Sequence, residues 1–166
     1  MATRLESFSA LADYDERIRD AITAGQHHDQ RRAILIELLR HGFGLAVDEI
    51  ALEHNVKVAK VRGRIDLLYG PIAWEVKRDL ELERDDLERE LKLYLTAQGP
   101  DSFGIGTDGL RFEVYRLDHG DLQQVDRCDL DQAELEEVLD WLDGYLFAVE
   151  GVAPTGDTIV DRKSVV

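Results

Sequence analysis

The sequence predicts an α/β domain, a mixed β-sheet flanked by helices with further helices at both ends. Helical and strand-like periodicities follow one another in the order α-α-β-β-β-α-β-β-α. Two alternating runs, 64–69 and 72–78, are separated by Gly70-Pro71, a turn signal. A strongly amphipathic helix then separates this hairpin from a second one. The 166 residues suit one domain, and 44% hydrophobic residues suffice for a sizeable core.

Residues 1–28 form a helical lead-in, because Phe8, Leu11, Tyr14, Ile18 and Ile22 recur at steps of three and four. Ala24-Gly25 ends it. Asp29 is an expected N-cap for a second helix over 29–41, which Gly42 stops. In 49–59, Ile50, Leu52, Val56 and Val58 alternate with polar residues, as in a strand. The helix over 81–98 carries Leu87, Leu91, Tyr94 and Leu95 on one stripe. Strands at 103–106 and 111–117 flank Thr107-Asp108-Gly109, where Asp-Gly favours a tight turn. A last acidic helix over 131–147 buries Leu135, Val138, Leu139, Leu142 and Leu146. Beyond Gly151 periodicity is lost, so 148–166 is expected to be a tail or linker, leaving 29–147 as the main domain.

The chain carries 35 acidic and 20 basic residues, a formal net charge of -15. Such a charge repels a nucleic-acid backbone at long range and argues against an independent, tight DNA binder. It leaves room for an enzyme that meets DNA through a local patch and a divalent cation. A single cysteine, Cys128, excludes a disulfide framework and cysteine-based zinc sites. No apolar run is long enough to span a bilayer and no secretory leader is recognisable, so a cytoplasmic protein is expected.

The chemistry lies in the 64–77 hairpin. With Gly70-Pro71 at the turn, Tyr69 pairs with Ile72 and Leu67 with Trp74, so Asp66 faces Glu75 and Arg64 faces Lys77. Alternation puts Ile65, Leu67, Tyr69, Ile72, Trp74 and Val76 on one apolar face. Asp66, Glu75, Lys77 and Arg64 share the other. Two opposed carboxylates repel and destabilise a sheet unless something offsets them. A divalent cation between them is the simplest offset, since hard cations prefer carboxylate oxygens. Two acids and a lysine on one sheet face can cut phosphodiesters: the metal activates water, and the lysine positions or deprotonates it. The plain alternative is a solvated strand face with a salt bridge from Glu75 to Lys77 or Arg64.

Gly63-Arg64-Ile65-Asp66, Trp74-Glu75-Val76-Lys77, the helix ending Glu90-Leu91-Lys92-Leu93-Tyr94-Leu95, and Thr107-Asp108-Gly109 before an aromatic strand together resemble the PD-(D/E)xK nuclease superfamily. Within it, the chain looks like the N-terminal nuclease domains of type I and related restriction enzymes. The resemblance covers about residues 29–147. It implies a restriction-endonuclease-like α-β-β-β-α-β core, with Asp66 and Glu75 as metal ligands, the Val76 carbonyl completing the metal shell, and Lys77 as the catalytic lysine. Two positions depart from the pattern. Ile65 stands where a proline often begins the motif, and Glu90 stands where many restriction members carry glutamine.

Superfamily members often add an acid from the first core helix. Glu37, among Ile34, Leu35, Ile36, Leu38 and Leu39, either reaches the metal through water or belongs to a polar stripe with Arg40 and His41. Glu53 and Lys57 lie on one face of the preceding strand, near enough in principle to join the site, but solvent exposure is the better explanation of both. His27-His28 belongs to a helix-entry loop, Cys128 is incidental, and Asp108 is explained by turn chemistry. Arg31, Arg32, Arg62, Arg64 and Arg78 are the nearest candidates for phosphate contacts.

These features lead to the expectation of an Mg²⁺-dependent endonuclease domain, with Mn²⁺ able to substitute, acting on double-stranded DNA as the cleavage module of a restriction system. Methyltransferase, specificity or translocase partners would supply recognition. The alternative is a catalytically inactive nuclease fold or an acidic DNA mimic used for docking.

Overall fold

The computed structural model describes residues 3–26, 28–45, 50–58, 61–69 and 72–147, and over 50–69 the backbone alone. The turn at Gly70-Pro71 and the segment 148–166 lie outside the described residues, as do the side chains of Glu53, Lys57, Arg62, Arg64 and Asp66. Helix α1 spans Arg4–Thr23 and α2 spans His28–Glu37, continued by a π-helical turn at Leu38–Gly42. Strands β1 (Ile50–Val58), β2 (Val61–Tyr69) and β3 (Ile72–Val76) follow, then α3 (Arg84–Gln98). Strands β4 (Phe103–Thr107), β5 (Arg111–Asp118) and β6 (Asp121–Asp129) precede α4 (Leu135–Leu146). The described residues are thus α/β, with six strands among them in one mixed sheet ordered β1-β2-β3-β4-β5-β6.

All neighbouring strands are antiparallel except β3 and β4, which run parallel through the α3 crossover. The register of the β2–β3 hairpin is the expected one: Leu67 pairs with Trp74, Leu68 with Ala73 and Tyr69 with Ile72. Asp66 and Glu75 are the next residues on the two strands. The β1–β2 ladder brackets Glu53 and Asp66 between the pairs Leu52–Leu67 and His54–Ile65.

Helices cover both faces of the sheet. On one face, Leu11, Tyr14 and Ile18 of α1, Ile34 and Leu35 of α2, and Val138, Leu139 and Leu142 of α4 bury Ile72, Trp74, Val76, Phe103, Ile105, Phe112 and Val114. On the other, Leu87, Leu91, Tyr94 and Leu95 of α3 pack on Ala73 and Tyr115. The predicted stripe of α3 is therefore its buried face. Burying such a side chain contributes about 1.5–3 kcal/mol against leaving it in water, so these two layers dominate the stability. Strand β4 has glycine at both positions facing α3. A Cβ on Gly104 would lie 2.7 Å from a Leu91 methyl, and one on Gly106 would lie 2.6 Å from a Leu87 methyl. The helix sits on bare backbone at these two points.

The element ends differ from the periodicity in instructive ways. Helix α1 starts at a capping box: the Glu6 amide donates to Thr3 Oγ1 and the Thr3 amide donates to Glu6 Oε2. It stops where the Gln26 amide donates to the Ala21 carbonyl and the Gly25 amide to the Ile22 carbonyl, with Gly25 at φ 70°. Asp29 is not an N-cap, because α2 already begins at His28 and Asp29 lies in its first turn. Helix α3 starts three residues later than predicted. Asp79 Oδ1 accepts from the Glu81 and Leu82 amides, and Glu83 Oε2 accepts from the Arg78 and Asp79 amides, fixing 78–83 as a turn. Strand β6 was not predicted. It pairs along β5 after a two-residue turn, His119 (φ 50°) and Gly120 (φ 84°).

Candidate functional site

Glu75 sits in a strand buried at every position, between Trp74 and Val76, and is 2% exposed. Alternation turns it toward α3, the face of Ala73. A buried carboxylate costs several kcal/mol unless it is paired and hydrogen-bonded. Lys77, two residues on, provides the cation: its Nζ lies 3.8 Å from Glu75 Oε2. The backbone at Lys77 is fixed by its own amide, which donates to the Thr107 carbonyl at 2.8 Å and extends the β3–β4 pairing beyond Val76–Thr107. The Lys77 side chain is 13% exposed.

A third group arrives from α3. Lys77 Nζ donates to Glu90 Oε2 at 3.0 Å, closer than to Glu75. Burial works against the charged form of Glu90. Hydrogen bonding with the Glu75 carboxyl and with the Lys77 ammonium outweighs it and holds Glu90 below the usual carboxylate range. Glu90 therefore faces the site, and the departure from glutamine places a second carboxyl against the lysine. The structure brings together Glu75, Lys77 and Glu90. The side chain of Asp66 lies outside the described residues, while its backbone is one step beyond the Leu67–Trp74 pair.

Glu37 is engaged elsewhere. It pairs with Arg17 of α1 and lines a cavity of about 160 Å³ with Asp13, Tyr14 and His41. This hydrogen bond, reinforced by the charges of Arg17, His41 and Arg40, lowers the Glu37 pKa. The pair is half exposed, so Glu37→Gln is expected to cost under about 1 kcal/mol in thermal denaturation. The sign of its pH dependence follows from that lowering. The contribution is in place above the ordinary value of 4.5 and is lost as pH falls through the lower folded value. A destabilisation that grows with falling pH would contradict it.

Arg31 is not a surface phosphate contact. It is 5% exposed, and its Nη1 donates to the Arg78 carbonyl at 2.9 Å and the Asp108 carbonyl at 3.0 Å. It ties α2 to the exits of β3 and β4. Arg32 is mostly covered and lies 3.6 Å from Asp29, whereas Arg78 is exposed. Of the histidine pair, His27 lies outside the described residues and His28 lies 3.1 Å from Asp29. Asp108 serves its turn, accepting from the Leu110 and Arg111 amides. Cys128 pairs with Phe112 across β5–β6 and packs on the core.

Glu113 was missed. It is in register with Gly106, which is itself in register with Glu75, so the two acids lie in line across three strands. Glu113 is 2% exposed and accepts a two-pronged contact from Arg84 at 2.9 and 3.1 Å, while the Tyr115 hydroxyl donates to it at 3.0 Å. Its signal was the same as that of Glu75, an acid flanked by apolar strand residues. The outcomes differ: Glu113 has an arginine matched to it, whereas Glu75 and Glu90 meet at one lysine.

Among the described residues no three His, Cys, Asp or Glu side chains are grouped to hold a metal ion. Glu75 supplies hard oxygen donors of the type Mg²⁺ takes, and the further carboxylate that such a set needs is that of Asp66, while Glu90 is held against the Lys77 ammonium. The donor chemistry fits such an ion. No protein-family model matches the sequence, and no curated protein or solved structure matches it.

Proposed function

We propose that the chain is a metal-dependent DNA endonuclease domain with a restriction-endonuclease-like core. The observation that carries this reading is the buried Glu75 on a central strand with the Lys77 ammonium 3.8 Å away, beside the register position of Asp66. The element order α2-β1-β2-β3-α3-β4 also supports this reading. In this reading Asp66, Glu75 and the Val76 carbonyl are the groups that would hold Mg²⁺. Such an ion, when bound, would supply charge stabilisation at phosphorus and an activated water. Lys77 would orient the attacking water and offset charge on the phosphate. Double-stranded DNA is the substrate, and other subunits of a restriction system provide sequence recognition. No helix among the described residues is long and apolar enough to cross a membrane.

A docking module built on the same fold is the second reading, favoured by the net charge of -15. Mn²⁺ titration by calorimetry, with plasmid nicking in parallel, separates the two. Asp66→Ala and Glu75→Gln are expected to lose both Mn²⁺ binding and nicking while the far-ultraviolet circular dichroism stays that of the parent. Unchanged nicking by Asp66→Ala would defeat the enzymatic assignment.

A further inference from the structure

We propose that Glu90 is a positioning residue for Lys77, drawing its ammonium toward α3 so that it does not compete with the divalent cation at Glu75. The inference rests on the metal-site reading above. Its geometric basis is the unequal spacing of one ammonium between two carboxyls, 3.0 Å to Glu90 and 3.8 Å to Glu75. Glu90 can take this part because α3 is seated so low. It directly precedes Leu91, whose methyls lie against Gly104, and follows Leu87, whose methyls lie against Gly106. Gly106 is the β4 partner of Glu75. The helix turn that carries Glu90 is thereby set directly over Glu75 and Lys77. Glu90 is 28% exposed, enough for isosteric replacement without opening the core.

The chemistry follows from the lysine's reach. An ammonium on a flexible stem settles nearest the strongest negative partner it can touch. With Glu90 charged, that partner is on α3. With glutamine at position 90 the acceptor keeps an oxygen but loses its negative charge, so the ammonium shifts toward the charged Glu75. A cation entering at Glu75 must then displace it.

The test is a four-member cycle measured by Mn²⁺ titration, with electron paramagnetic resonance of free Mn²⁺ as readout. The members are the parent, Glu90→Gln, Lys77→Met and the double variant. Glu90→Gln is expected to weaken Mn²⁺ binding by about tenfold, in the range usual for residues that orient metal ligands. Lys77→Met is expected to change affinity by under about threefold alone, yet to restore most of the loss in the Glu90→Gln background. Undiminished affinity in Glu90→Gln overturns the proposal. So does an equal effect of Lys77→Met in both backgrounds, since Glu90 would then act by bulk charge and not through the lysine. Melting temperatures of the four proteins show whether each is folded. Asp66→Ala and Glu75→Gln serve as references. If both bind Mn²⁺ like the parent, the metal-site reading itself fails. If they lose it while Glu90→Gln does not, only the role of Glu90 is lost.

Discussion

Replacing Lys77 by methionine is expected to slow DNA cleavage at saturating Mn²⁺ by a factor of roughly 10²–10³, the usual cost of removing one positioned electrostatic donor. Single-turnover cleavage of supercoiled plasmid across a Mn²⁺ titration measures it. Methionine keeps most of the stem's packing and removes only the ammonium. The backbone hydrogen bond from position 77 to Thr107 is untouched, so the strand should keep its course. The same change strips the buried Glu75 of a cation 3.8 Å away, so a lower melting temperature without metal accompanies it. Mn²⁺ should recover much of that loss, because an ion that binds only the folded state stabilises it by mass action. A parental rate in the variant would return Lys77 to the role of a mere salt-bridge partner.

Arg84→Met is expected to destabilise the domain by about 3–5 kcal/mol, the usual cost of stranding a buried charge. Glu113, 2% exposed, would keep only the Tyr115 hydroxyl among the contacts described for it. Arg84 also donates to Tyr115 at 2.8 Å and to Glu81 at 3.0 Å, and Arg111 donates to the same Glu81 oxygen. These contacts hold the first turn of α3 to β5, so their loss loosens the start of the helix that carries Glu90. Urea denaturation measures the change. The combination Arg84→Met with Glu113→Leu should recover most of it, because no charge is then left buried. A loss below about 1 kcal/mol for Arg84→Met alone would mean that Glu113 is not held as a charge, as in exposed pairs.

The parts of the fold that were legible in the sequence are those where one periodicity acts alone. Leu87, Leu91, Tyr94 and Leu95 repeat at helical spacing and all four are buried against the sheet. Gly70-Pro71 between alternating runs sufficed for the register of Leu67 with Trp74. Strand β6 escaped because it is the sheet's edge. Its outward residues are polar, Asp126 and Arg127 sit in mid-strand, and no hydrophobic alternation survives. The π-helical turn at Leu38–Gly42 escaped because it shares the apolar pattern of the helix before it.

At the candidate site, Glu75 and Lys77 were legible because residues two apart on a strand share a face. That Glu90 reaches them was not, since it depends on how far α3 sinks onto Gly104 and Gly106. Nor could spacing foresee that Arg17 of α1 would take Glu37, or that Arg31 would be enclosed by the carbonyls of Arg78 and Asp108. Those partners lie 20, 47 and 77 residues away along the chain.

The order of the strands across the sheet, which follows their order along the chain, has a consequence for how the molecule assembles. Nearly every pairing closes a short loop, and short loops cost little chain entropy to close. Only the β3–β4 pair must wait for an intervening helix to fall into place. That single crossover is the natural bottleneck of folding, and mixed topologies of this kind fold more slowly than helical bundles of similar stability. The step that sets the pace is therefore the same one that seats Glu90 above Lys77.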